Sequence, residues 1–214
     1  MLQRLRRQWL RRRLKDEAYA FLLEPAPPGE LVGIDCETTT LDIRRAELLS
    51  VAAIRIKGDR ILTSERLELV VRPAGQPGEQ GVLIHQLRPL DIARGVPADQ
   101  AIDQVLRFIG SRPLVGYYLE FDVAVLDRHV RPKIGIPLPN RQIEVSALYY
   151  DFKQKRSPPG SHIDLRFATI REELGLPDFP VHDAFNDALL AAMIYLRLAK
   201  RPAQPTNPPL PLGT

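Results

Sequence analysis

The run Leu31-Val32-Gly33-Ile34 is apolar and ends in Asp35-Cys36-Glu37, where two carboxylates are separated by one residue. A short apolar run of this kind predicts a buried strand, and the two-residue period aims Asp35 and Glu37 at one face while Cys36 points to the other. Like charges set side by side in a buried strand raise each other's pKa, so one carries a proton unless a cation neutralises the pair. The spacing is therefore that of half a metal site. A surface strand also produces Asp-x-Glu by chance, and the pattern alone does not separate the two.

The remaining patterns predict what surrounds this strand. Residues 48–57 and 61–72 are β-rich runs either side of Gly58-Asp59, which reads as a hairpin, and with the first strand they make three antiparallel strands. Pro97 sits at a first-turn position ahead of Ile102, Val105, Leu106 and Ile109, a helical stripe. A short strand at 114–118 precedes Phe121, Val125 and Leu126 at helical spacing, and the remainder, through Val145 and Leu148, 165–174 and 183–200, reads as helical. There is no internal repeat. Strands first and then alternating elements describe an α/β domain with a mixed sheet flanked by helices, extending over about 31–200.

Composition bounds the setting. The chain is 44% hydrophobic and 26% charged, as in ordinary globular proteins. The longest uncharged apolar stretch, 188–196, has nine residues, against the roughly 18 that a membrane-spanning helix needs. No membrane span and no secretory leader are expected. The single cysteine, Cys36, excludes an internal disulfide framework and a zinc site built on paired cysteines, which fits a reducing, cytoplasmic setting.

The net charge of +4 is unevenly spread. The first 15 residues hold seven basic side chains and no acid, leaving 23 basic against 26 acidic residues, so the body is about −3. Leu2, Leu5 and Trp9 form one apolar stripe and Leu10, Leu14, Ala18, Phe21 and Leu22 a second, which makes 1–23 a basic amphipathic arm. Such an arm serves either as an electrostatic handle for phosphates or another anionic surface, or as a helix packed on the domain or a partner. Residues 24–30, with Pro25, Pro27 and Pro28, read as a linker, and 201–214, with five prolines, as a disordered, partly polyproline tail.

Two further acidic positions bear on Asp35 and Glu37. Asp122 follows the strand at 114–118 and opens a helix, the usual place for a site in an open α/β sheet, although a first-turn acid there can serve the helix alone. His182 and Asp187 head the last helix. If both were helical, their side chains would diverge by about 140°. With His182 in the loop after Pro180 and Asp187 in the first turns, both can face one cleft.

In order and spacing, Asp35-x-Glu37, Phe121-Asp122 and His182 followed five residues later by Asp187 resemble the three motifs of the DEDD exonucleases of the histidine subclass. The resemblance is to the proofreading-exonuclease family, similar to the epsilon subunits of bacterial replicative polymerases. It extends from Ile34-Asp35-Cys36-Glu37-Thr38-Thr39-Thr40-Leu41-Asp42 through Val82-Leu83-Ile84-His85 and Ile163-Asp164-Leu165 to His182-Asp183-Ala184-Phe185-Asn186-Asp187-Ala188.

The resemblance implies a ribonuclease H-like fold and metal-dependent 3′–5′ removal of nucleotides from single-stranded or frayed DNA or RNA ends, in proofreading or repair. By matched position, Asp35 would bridge two divalent ions, Glu37 and Asp187 would complete the nucleophile-side ion, Asp122 would hold the second, and His182 would be the general base. Carboxylate oxygens without thiolates suit Mg²⁺ or Mn²⁺. Thr38, Thr39, Leu41, His85, Tyr118 and Phe121 match segments near the terminal nucleotide. For Thr38, Thr39 and Leu41 the alternative is to close the strand and pack its loop, and for His85 a local hydrogen bond.

Two positions depart from the family pattern: Thr40 stands where glycine is usual, and Tyr118 where a small polar residue is common. The resemblance also implies a polymerase or repair complex as partner. The rival reading is a catalytically weak nucleic-acid-binding or polymerase-accessory module of the same fold.

Overall fold

A computed structural model describes residues 2–73, 89–180 and 183–199. Its strands are β1 (Glu30–Thr38), β2 (Leu48–Lys57), β3 (Arg60–Arg72), β4 (Val96–Pro97), β5 (Leu114–Gly116) and β6 (Gln142–Glu144). Its α-helices are α1 (Leu2–Arg11), α2 (Pro89–Ala93), α3 (Ala98–Ile109), α4 (Leu119–Ile134), α5 (Val145–Gln154), α6 (Phe167–Glu173) and α7 (Ala184–Ala199). The strands form one sheet in the order β4-β3-β2-β1-β5-β6. β1, β2 and β3 pair antiparallel, while β5 runs parallel to β1 and β6 parallel to β5. The expected α/β mixed sheet flanked by helices is the architecture found.

Gly58 makes the β2–β3 turn at φ +58°, a left-handed conformation that costs glycine little. The alternation of β1 divides its side chains between two apolar layers. Val32, Ile34 and Cys36 pack with Ile102, Val105 and Leu106 of α3 and Val125 and Leu126 of α4. Leu31 joins Tyr149 of α5, Ile170 of α6 and Ala192 of α7 in the other layer. The sheet is thus covered on both sides, and the face of β1 that bears Asp35 and Glu37 is the one on which α7 lies.

Three local expectations differ from the structure. The helix predicted over 1–23 breaks: α1 ends at Arg11, and the Asp16 side chain accepts the Ala18 N–H at 2.9 Å to start a separate 3-10 helix, Glu17–Leu23. Of the two stripes, Leu10 and Leu22 are buried in the same layer as Ile109 and Ile134, whereas Leu5 and Trp9 are exposed. Pro97 does not occupy the first turn of α3. It precedes the helix and pairs with Arg72 as the end of β4. Residues 142–144, read as part of a helical remainder, add β6 to the sheet edge. Residues 200–214 lie outside the described residues.

Candidate active site

β1 pairs with β5 only through Val32 and Gly33, because β5 ends at Gly116. Past that point the edge of β1 facing β5 has backbone donors without a strand to receive them. Asp122, in the first turn of α4, fills this place: its Oδ1 accepts the Cys36 N–H at 3.2 Å. The buried Asp122 is therefore tied to the backbone between the two acids of β1.

On the α7 side, one carboxylate oxygen from each of Asp35, Glu37 and Asp187 lies within 4.8 Å of the others. Their approach follows from packing. Gly33 lies two residues before Asp35 on the same face, and a Cβ there would be 2.8 Å from the Ala188 carbonyl oxygen and 3.2 Å from the Ala192 Cβ. Glycine lets α7 settle onto β1, and Asp187 is adjacent to Ala188. Asp183, one residue before α7, accepts the Asn186 N–H at 2.9 Å and fixes the start of that helix.

Electrostatics make this grouping costly without a cation. Burial pushes the Asp35 carboxyl well above the usual carboxylate range, and the charges of Asp122, Asp187, Glu37 and Asp183 push it further. Asp122 is likewise raised by burial, then by Glu37 and Glu144, against the opposing bond from the Cys36 N–H. Burial and the surrounding carboxylates also raise the Cys36 thiol, which keeps it protonated at neutral pH. A divalent ion relieves the repulsion and suits an all-oxygen donor set, so the residues present fit a hard cation.

Around the acids, the sequence-matched residues divide by exposure. Leu41 is 81% and Tyr118 62% exposed. Thr39 closes the loop that carries Leu41, exchanging backbone and side-chain bonds with Glu47, and Thr38 donates its hydroxyl to the Thr40 carbonyl at 2.9 Å. Phe121 points into the layer shared with α3 and is 7% exposed, so its side chain packs in the core. His85 and His182 lie outside the described residues.

The two departures from the expected motif also have a local explanation. Thr40 does not need the left-handed conformation that would favour glycine, and its hydroxyl accepts the Asp42 N–H at 3.3 Å. Tyr118 takes that conformation instead, at φ 56°, the only non-glycine residue to do so among those described. It ends the extended segment two residues earlier than predicted and leaves an exposed ring where α4 begins.

Sequence reasoning missed two residues that hold this arrangement. Glu144, at the end of β6, accepts the Leu119 N–H with one carboxylate oxygen at 2.9 Å and the Ser146 N–H with the other at 3.0 Å, joining the starts of α4 and α5. Its signal was an acid two residues before a serine ahead of an apolar helical run. Arg128 of α4 donates to the carbonyls of Ile43 and Ala46 at 2.9 and 2.6 Å and pins the loop after β1. A cleft lined by Glu37, Val51, Glu68, Asp183 and Phe185 extends from the acids across β2 and β3.

Residues 32–195 match the family model described as Exonuclease. Among curated relatives, the chain is 24% identical over 170 residues to the DNA polymerase III subunit epsilon of Aquifex aeolicus, covering 79% of this chain and 80% of that one. It is 28% identical over 131 residues to the oligoribonuclease of Tropheryma whipplei, covering 56% of this chain and 71% of the relative. The fold is similar to that of cell-death related nuclease 4, with a TM-score of 0.67 at 16% identity over 81% of this chain and 64% of that structure. It is also similar to E. coli exonuclease I in complex with a 5cy-dT13 oligonucleotide, with a TM-score of 0.66 at 16% identity, though the chain spans only 41% of that protein. Among the described residues no helix is long and apolar enough to cross a membrane. The match runs from β1 into α7 and so takes in every acid of the cleft: the chain belongs to the exonuclease family, among the 3′–5′ exonucleases of the DEDD superfamily.

Proposed function

We propose that the chain hydrolyses phosphodiester bonds at single-stranded or frayed nucleic-acid 3′ ends with two divalent ions, Mg²⁺ or Mn²⁺, held by Asp35, Glu37, Asp122 and Asp187. The observation that carries this reading is the approach of the Asp35, Glu37 and Asp187 carboxylates to within 4.8 Å of one another, with Asp122 bonded to the backbone between the first two. When bound, such ions neutralise phosphate charge and make an attacking water more acidic. Asp35 and Glu37 would supply oxygen ligands from β1, Asp187 from the facing helix, and Asp122 from the edge of β1 beyond the end of β5.

His182, five residues before Asp187, takes the proton of the attacking water at an imidazole nitrogen. An imidazole with pKa near 6.5 can accept that proton at neutral pH. Leu41 and Tyr118 meet the terminal bases, Tyr118 by stacking, a reading that their exposure supports. Thr38 and Thr39 hold the loop that presents Leu41. The likeness to an epsilon subunit supports a role in proofreading or repair beside a polymerase, and the likeness to an oligoribonuclease keeps RNA within the substrate class.

Matched 5′-labelled DNA and RNA strands, single-stranded and in blunt duplex, test the reading with Mg²⁺ or Mn²⁺. Progressive shortening from the 3′ end, faster on single strands, is expected. Internal cuts, or retention of the strand without shortening, would overturn it.

A further inference from the structure

The arm at the other end of α4 has no place in this chemistry, yet it carries the excess positive charge of the chain. Leu10 turns inward and anchors α1, and the Lys15 N–H donates to the Ile134 carbonyl at 2.9 Å, which fastens the arm to the C-terminal end of α4. Arg6, Arg7 and Arg141 line one groove with Leu10, Ser111 and Glu24, where α1 meets the segments that lead into β5 and β6. Arg11 pairs with Glu17, and Arg13 lies over the Trp9 ring at 4.0 Å. No ion pair to Arg6, Arg7, Arg12 or Arg141 is formed among the described residues.

We propose that Arg6, Arg7 and Arg141 form a second, sequence-independent nucleic-acid site that holds the phosphate backbone upstream of the 3′ end. The proposal rests on the exonuclease reading for its choice of polyanion. Charge complementarity supports that occupant, because the body is about −3 and its cleft is acidic, so the arm is where a polyanion is attracted. A lipid surface is a poorer fit, since the described exposed apolar side chains of α1 are Leu5 and Trp9, and Arg13 covers one face of the latter.

Asp122 and Ile134 are twelve positions apart on α4, or about 18 Å at roughly 1.5 Å per residue. A strand stacked at roughly 3.4 Å per nucleotide spans that distance in about five or six nucleotides. A strand must exceed about this length to engage both sites, and a dinucleotide engages one.

The test is fluorescence anisotropy of 5′-fluorescein dT20 in EDTA, where removal of divalent ions separates binding from hydrolysis. Replacing Arg6, Arg7 and Arg141 together by Gln is expected to weaken binding about tenfold or more at low salt, and to reduce the slope of log K against log salt by about two, near 0.7 for each lost contact. The triple Arg→Lys variant keeps the charge and is expected to stay within about threefold of the wild type, because phosphate attraction is mainly electrostatic. Equal binding by wild type and Gln variant, or a Lys variant as weak as the Gln variant, would overturn the proposal. So would capture of the arm by phosphatidylglycerol vesicles without dT20 binding. Absence of dT20 hydrolysis in Mg²⁺ with arm-dependent binding intact would instead count against the exonuclease reading.

Discussion

Replacing Gly33 by Ala should loosen both the fold and the candidate site. The new methyl carbon would meet the Ala188 carbonyl oxygen at 2.8 Å and the Ala192 Cβ and Ile54 Cγ2 at 3.2 Å each, whereas comfortable carbon contacts are roughly 3.5–4.0 Å. The oxygen belongs to helix backbone and has no rotamer to escape into, so relief requires α7 to move away from β1. Overpacking of this kind costs about 1–3 kcal/mol. Alanine recovers about 0.5–1 kcal/mol over glycine within a strand, leaving a net loss of up to about 2.5 kcal/mol. The displacement also carries Asp187, adjacent to Ala188, away from Asp35 and Glu37. Urea unfolding should show the lost stability, and the rise in melting temperature produced by Mn²⁺ should shrink. A variant as stable as the wild type with an unchanged Mn²⁺ response would show that the approach of α7 to β1 does not need glycine at this position.

Three other expectations concern the acids and their supports. In EDTA, the raised Asp35 and Asp122 keep protons that the unfolded chain has already lost. Their contribution to stability therefore falls as pH rises from about 4 toward their raised values, and the extra stability given by Mn²⁺ grows over the same interval. Melting curves with and without Mn²⁺ check this, and an Mn²⁺ effect that declines with rising pH would contradict it. Glu144→Ala removes the acceptor for Leu119 and Ser146 and should cost about 1–2 kcal/mol, as lost helix caps do. Unchanged urea midpoints would count against its role. His182→Ala should lower the hydrolysis rate with Mn²⁺ uptake retained, and a pH–rate profile identical to that of the wild type would exclude it as the base.

The parts of the fold that were legible in the sequence are those whose side chains repeat. β2 runs over Leu48–Lys57 as its β-rich pattern predicts, and the Gly58-Asp59 turn follows from a glycine free to take positive φ. The stripe of α3 likewise becomes its buried face. β6 was not legible, because three residues, Gln142-Ile143-Glu144, are too few to display a period and are held by pairing to β5. The break in the basic arm is accompanied by the Ala18 N–H bond to the Asp16 side chain and the Lys15 N–H bond to Ile134, and the choice of buried stripe depends on where α3 and α4 stand.

The candidate site divides in the same way. The two-residue spacing of Asp35 and Glu37 places both on one face, as strand geometry requires. That Asp122 would bond the Cys36 amide depended on where β5 stops, and the left-handed Tyr118 on how α4 starts, both tertiary facts. Phe121 shares its motif with Asp122, but the neighbouring position on a helix points elsewhere, into the core.

In the proposed function, acids from β1 and α7 together hold a divalent cation, and calorimetric titration of Mn²⁺ into the metal-free protein measures this directly. Saturable binding is expected in the wild type, weakened at least about tenfold in Asp187→Asn, a cost of about 1.4 kcal/mol, with the unfolding midpoint in EDTA no lower than that of the wild type. Identical isotherms for the two proteins, or no uptake by either, would contradict it.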